Sequence, residues 1–194
     1  VHYNANYRAN VTKDNIIVST GTSPIFRNLF QLVSGQGREI LLPRPYYALY
    51  VYCATLANAT IKFYDVDPVS MRVDMDSFRK NFSPERTSLV VVNSPGNPLG
   101  NIVKPDELSQ IYDIVDRQAY VLNDEIYNNC MFYEDFQSPL ELFPEYGDIT
   151  IITNGFSKGF RMYTKRVGFA ILPQELQASL RVMQQHTLLC TDPC

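Results

Sequence analysis

A lysine attacks a carbonyl carbon only as a free amine, and an arginine grips a phosphate with two parallel N–H groups. Both residue types fall in the stretch TNGFSKGFRMYTKRVGF, Thr153 to Phe169, which carries Ser157, Lys158 and Arg166 directly after a run of strand-formers. Read alone, the stretch is either a solvated basic loop or a nucleophile with an anion clamp. A second group lies in NDEIY, where Asp124 and Glu125 stand in an apolar setting. A carboxylate there costs several kcal/mol to desolvate unless it is paired, so Asp124 is expected to face a cation. Tyr127 brings its hydroxyl nearby if a helical turn begins at that point; the alternative is a solvated acidic loop.

Three further stretches carry binding chemistry. In STGTSPIFRNLFQLV, Gly21 allows a tight turn, while Thr22 and Ser23 open a helix with Pro24 in its first turn. Free N–H groups, hydroxyls and the positive helix end would cradle a phosphate, and a plain N-cap is the competing reading. In PRPYYALY, Tyr46 and Tyr47 form either a stacking wall for a ring or part of the core. In NSPGNPLG, Asn93, Pro95, Asn97, Pro98 and Gly100 build a rigid turn that aims an Asn into a cleft or is turn chemistry only.

These groups need a frame. Apolar, β-branched runs occur at Asn15–Ser19, Glu39–Pro43, Thr60–Val66, Ser88–Asn93, Tyr120–Asp124, Ile149–Thr153 and Val167–Pro173. Several are continuous rather than alternating, as strands buried on both faces are. Helical patterns lie between them. The clearest is KPDELSQIYDIVDRQ, with Pro105 suited to a first turn, Asp106 and Glu107 at the positive end, and Leu108, Ile111, Tyr112 and Val115 on one face. This alternation predicts an α/β three-layer sandwich: a mostly parallel sheet of about seven strands covered by helices on both faces. Such sheets bind ligands outside the carboxyl ends of their strands, which is where all five stretches fall.

Composition narrows the partners. With 194 residues, 45% of them hydrophobic, the chain can build one sizeable core. A formal net charge of -3 supplies no broad basic field for nucleic acid. Cys53, Cys130, Cys190 and Cys194 form no CxxC pair, and His2 and His186 are the only histidines, so a metal site is not expected. No apolar run reaches the roughly 18 residues of a membrane span, and nothing at the start resembles a secretory leader, so a cytoplasmic protein is expected and the N-x-[ST] triplets at Asn10, Asn58 and Asn81 read as chance.

Taken in order, GTS, PYY, NSPGNPLG, NDEIY and NGFSKGFRMYTKRVGF resemble the large domain of fold-type-I pyridoxal-5′-phosphate (PLP) enzymes, and within them the class I/II aminotransferases. The resemblance runs from about Asn15 to Leu189. It implies that Lys158 forms a Schiff base with the PLP aldehyde and later acts as general base between the substrate Cα and C4′. It implies that Arg166 clamps the phosphate with Gly21, Thr22, Ser23 and the Ser157 hydroxyl. Asp124 would pair with the pyridine nitrogen, Tyr127 and Asn97 would hydrogen-bond the phenolic oxygen, and Tyr47 would lie against the ring. Two positions depart from the family pattern: Leu99 stands where a threonine is usual in the NPxG turn, and Gly155 where some branches carry a serine.

By the same resemblance, residues 1–194 are expected to form a PLP-binding large domain, truncated relative to relatives of about twice the length that add an N-terminal arm and a small C-terminal domain. The implied activity is amino-group transfer from an amino acid to a 2-oxo acid, in a homodimer. A lyase of the same fold and a non-catalytic sensor domain of a transcription regulator are the alternatives.

Overall fold

The computed structural model describes residues 2–6, 9–131 and 136–188, and each of the seven apolar runs is a strand in it. In chain order the elements are α1 (His2–Asn6), β1 (Ile16–Ser19), α2 (Ser23–Val33), β2 (Glu39–Arg44), α3 (Ala48–Leu56), β3 (Thr60–Asp65), α4 (Met75–Asn81) and β4 (Thr87–Asn93). They continue with α5 (Pro105–Val115), β5 (Tyr120–Asp124), α6 (Pro139–Leu142), β6 (Thr150–Gly155), β7 (Gly168–Ile171) and α7 (Gln174–Thr187). Expected and observed boundaries differ by a residue or two at most strand ends. The sixth strand runs on to Gly155, and the seventh is trimmed to Gly168–Ile171.

The sheet order is β1-β7-β6-β5-β4-β2-β3. Strands β2 to β6 pair in parallel, while β7 runs antiparallel to both β6 and β1. The reason lies in the connection: between β6 and β7 only the single turn Tyr163–Lys165 is helical, too little for a parallel crossover. This reversal brings the start of β7 to the same edge as the carboxyl ends of β1, β4, β5 and β6. Asn93 is level with Asp124 and Asp124 with Thr153, while Gly168 faces both Gly155 and Ser19.

The continuous apolar runs divide by residue parity between two cores. Leu89, Val91 and Leu122 face α2, α3 and α7, where Phe26, Leu29, Phe30 and Tyr50 are fully buried. Val90, Val92 and Val121 face α4 and α5, packing on Phe78, Leu108, Ile111 and Tyr112. Each fully buried large apolar side chain contributes about 1.5–3 kcal/mol of transfer free energy, so the two layers together hold the sheet between them. The face predicted for α5 is the buried one: Leu108, Ile111, Tyr112 and Val115 all point inward. A third, smaller cluster joins Tyr3 of α1 to Ile152 and Ile171.

Cys53 is buried and Cys130 half-buried, both as free thiols, whereas Cys190 and Cys194 lie outside the described residues. Among the described residues no group of three or more His, Cys, Asp or Glu is placed to hold a metal ion, and no helix is long and apolar enough to cross a membrane.

Candidate active site

The tight turn after β1 places backbone against a guanidinium. Gly21 has φ +82°, and a Cβ built on it would stand 2.5 Å from Nη2 of Arg166. Only glycine permits both that dihedral and that approach. Arg166 itself is left-handed, φ 52° and ψ 50°, and its Nη1 donates to the Tyr163 carbonyl at 3.1 Å, which aims the guanidinium back at Gly21. Thr22 is the N-cap of α2, yet its side chain makes no capping hydrogen bond. Thr22 thus caps the helix by position without committing its hydroxyl. The first-turn N–H groups, the two half-buried hydroxyls of Thr22 and Ser23, and Arg166 form one cradle suited to a phosphate-sized anion.

Asp124 closes β5 on the face that Leu122 shares with α3, by the two-residue period of the strand. It is 3% exposed. Its Oδ2 accepts a hydrogen bond from the Tyr50 hydroxyl at 2.5 Å, and Oδ1 accepts from Ile126 N–H at 3.3 Å and Thr153 Oγ1 at 3.4 Å. Among the described residues no side-chain cation pairs with it; the partner that the structure adds is the Tyr50 phenol. Burial pushes the Asp124 carboxyl up to about 6, and the Tyr50, Ile126 and Thr153 donors pull it back. The Tyr50 hydroxyl is in turn raised well above its ordinary value, first by burial and then by the Asp124 charge. A buried carboxylate supplied with neutral donors but no countercharge fits a cationic ring nitrogen.

Tyr47 and Tyr46 are not core: both are more than a third exposed. Tyr46 stacks on Phe63, while Tyr47 stands edge-on to Tyr50 at 5.6 Å. Asn93 Nδ2 donates to the Asp124 carbonyl at 3.1 Å, and its Oδ1 accepts from the Asn97 N–H at 2.7 Å, so the NSPGNPLG turn is sewn to the end of β5. Asn97 and Tyr127 line one side of an open cavity of about 700 Å³, together with Pro98, Leu99, Cys130 and Met131. The Asn97 amide and the Tyr127 hydroxyl make no hydrogen bond among the described residues, which leaves both as donors for a ligand.

Lys158 is exposed, with its Nζ 5.5 Å from the centroid of the Tyr127 ring. Tyr127 sits in a turn, not a helix, closed by Asn128 N–H to the Glu125 carbonyl and Cys130 N–H to the Tyr127 carbonyl. Gly159 lets the lysine loop lie directly on that turn, because a Cβ there would come within 2.5 Å of Asn129 Cβ. Ser157 is half-buried beside Lys158, and its hydroxyl makes no hydrogen bond among the described residues. The structure thus brings Gly21 to Arg166, Lys158 to Tyr127, and Asp124 to Tyr47 and Asn97, through Tyr50 and Asn93. Tyr50 and Thr153 are the site residues that sequence reasoning missed. For Tyr50 there was a signal: a tyrosine deep in an apolar helix needs a partner for its hydroxyl.

The geometry has known counterparts. The family model for aminotransferase class I and II matches residues 2–193. The chain is 29% identical over 175 residues to the "Probable aspartate aminotransferase" of Methanocaldococcus jannaschii, covering 90% of this chain and 45% of that protein. It is 30% identical to the same organism's (5-formylfuran-3-yl)methyl phosphate transaminase, covering 96% of this chain and 47% of that one. Among solved structures, a double mutant of Thermus thermophilus aspartate aminotransferase superposes with a TM-score of 0.91 at 27% identity, over 98% of this chain and 49% of that one. The chain spans about half the length of the curated relatives it matches. It belongs to the class I and II aminotransferase family.

Proposed function

We propose that residues 1–194 are the PLP-binding large domain of an aminotransferase that moves an amino group from an amino acid to a 2-oxo acid. The observation that carries this reading is Asp124: a buried carboxylate that no cation pairs with among the described residues, at the sheet edge that also holds an anion cradle and a lysine. When bound, PLP supplies an aldehyde with which amines condense and a ring that withdraws electrons from the substrate Cα. The residues here would hold it as follows. Gly21, Thr22, Ser23, Ser157 and Arg166 take the phosphate; Asp124, backed by Tyr50, holds a proton on the ring nitrogen; Tyr127 and Asn97 donate to the phenolic oxygen; Tyr47 covers the ring face.

Lys158 would hold the aldehyde carbon through its Nζ, and the same amine, when free, would serve as general base for the proton on the substrate Cα. General-base catalysis of this kind contributes about 10²- to 10⁴-fold. Two relatives of nearly equal identity carry names with very different substrates, so the amino donor is not assigned. Their names, both aminotransferases, favour transfer over elimination or sensing. Exposed Phe160, Met162 and Tyr163 beside the cradle support a homodimer in which this loop is covered.

The test is a visible absorption spectrum of the chain with added PLP, alongside Lys158→Ala. A band at roughly 360–430 nm that survives dialysis and is fixed covalently by borohydride in the parent alone is expected. An equally fixed band in Lys158→Ala, or none in the parent, overturns the assignment.

A further inference from the structure

The end of β5 carries two adjacent carboxyl groups, and the site described above uses only one. Glu125 is 1% exposed and turns away from Asp124, toward α1 and β6. Its Oε2 accepts from the Tyr3 hydroxyl at 2.7 Å, and its Oε1 accepts from Ser138 Oγ at 2.8 Å. The Tyr3 oxygen accepts in turn from Asn154 Nδ2 at 3.0 Å. The backbone of Glu125 is equally committed: its N–H donates to the Thr153 carbonyl at 2.9 Å, and its carbonyl accepts from Asn128 N–H at 2.9 Å. One side chain therefore ties an N-terminal helix, strand β6 and the approach to α6 to the turn that bears Tyr127.

We propose that Glu125 is a positioning residue: by binding Tyr3 and Ser138 it locks the turn between Asp124 and Tyr127, and so sets the two side chains that meet the cofactor. The inference rests on the function proposed above for those two residues. The groups that face the carboxyl are Tyr3 from α1, Asn154 from β6, Ser138, the Asn128 side chain, the neighbouring Asp124 charge, and Tyr112 of α5 at longer range. Among the described residues no cation pairs with it. Burial pushes the Glu125 carboxyl up to about 8, with the Tyr3 and Ser138 donors opposing and the Asp124 charge adding. The Glu125 carboxyl is thus biased toward its protonated form relative to an ordinary glutamate.

Because the folded chain holds this proton more tightly than the unfolded chain, stability falls as pH rises between the ordinary value of 4.5 and about 8. Asp124 contributes in the same direction, but only up to about 6. The interval from about 6 to 8 thus reports Glu125.

The test compares the parent with Glu125→Gln, Glu125→Ala and the double variant Tyr3→Phe/Ser138→Ala. Three readouts are taken: denaturant unfolding at about pH 6 and 8, PLP titration, and hydrogen exchange of the 125, 126 and 128 amides in the unliganded chain. Gln keeps a neutral acceptor, and the Ser138 hydroxyl can rotate to accept from its amide. Glu125→Gln is expected to bind PLP within about twofold of the parent, to keep the parent's exchange protection, and to lose the fall in stability between about pH 6 and 8. Glu125→Ala and the double variant are expected to bind PLP about tenfold more weakly and to exchange faster at these amides. If Glu125→Ala fails to fold, the double variant carries the same comparison. Parent-like binding and exchange in either disrupted variant overturns the proposal, as does Glu125→Gln failing as they do. If the parent itself binds no PLP, the functional reading fails, and hydrogen exchange alone then decides the positioning role.

Discussion

Replacing Tyr50 by Phe removes one hydroxyl and nothing else from the site, and the consequence can be worked through. The bond it deletes spans 2.5 Å to Asp124 Oδ2, from a fully buried ring packed edge-on against buried Phe26 and partly exposed Tyr47. Hydrogen bonds to charged groups contribute about 1.5–3 kcal/mol, or roughly 1–2 units in the acceptor's pKa. From its position near 6 the Asp124 carboxyl would then rise to roughly 7–8. At about pH 7 the parent carboxyl is roughly nine-tenths ionised, whereas the variant is ionised between about half and a tenth of the time. Only the ionised form holds a protonated ring nitrogen, so the apparent Kd for PLP should rise about 2- to 10-fold at that pH. The effect should grow at about pH 6 and disappear toward about pH 9, where both carboxyls are ionised and the missing bond is missing from free and bound variant alike. Fluorescence titration with PLP across this range measures it. A weakening that does not change with pH, or none at all, would refute the coupling of Tyr50 to the charge state of Asp124.

Other changes have simpler signatures. Gly21→Ala puts a methyl where Arg166 Nη2 lies and forces an L-residue to φ +82°, so it should cost about 1–2 kcal/mol of stability in a denaturant melt and weaken PLP binding more than that strain alone predicts. Asp74→Ala removes the N-cap whose carboxylate accepts from the Asp76 and Ser77 N–H groups, and should lower unfolding free energy by about 1 kcal/mol while leaving PLP affinity unchanged. Arg166→Lys keeps the charge but loses the two-pronged grip, and a PLP titration should show at least about tenfold weaker binding that added inorganic phosphate competes away more readily than in the parent.

The layered fold was legible because strands buried on both faces are written as unbroken apolar runs, and because α5 announces itself through Pro105 and a single apolar stripe. The direction of β7 was not legible. It depends on how little helix lies between Gly155 and Gly168, which periodicity reports weakly when the intervening residues are basic and aromatic. The site divides in the same way. Lys158, Arg166 and Asp124 are chemically conspicuous, and strand-end logic placed them together. The phenol that backs Asp124 was not, because Tyr50 arrives from a helix that reads as uniformly apolar. Glu125 stood out in the sequence, but its donors did not: Tyr3 lies 122 positions away and Asn154 answers Tyr3, not the carboxyl. Such pairings are made by packing, so no local pattern encodes them.

The antiparallel seam between β1 and β7 also sets when the site can exist. Arg166 meets Gly21 only because residues 16–19 pair with residues 168–171, near opposite ends of the described chain. Contacts of such long sequence separation carry the largest loop-closure cost and are expected to form late on the folding path. The parallel strands β2 to β5, joined by local crossovers, can assemble before the anion cradle has any shape. A phosphate-bearing ligand would then bind only chains that have closed this seam, adding its binding free energy at that final step by mass action. Refolding followed by cofactor fluorescence should therefore lag behind refolding followed by helix signal, and the delay would measure the time taken to zip β1 onto β7.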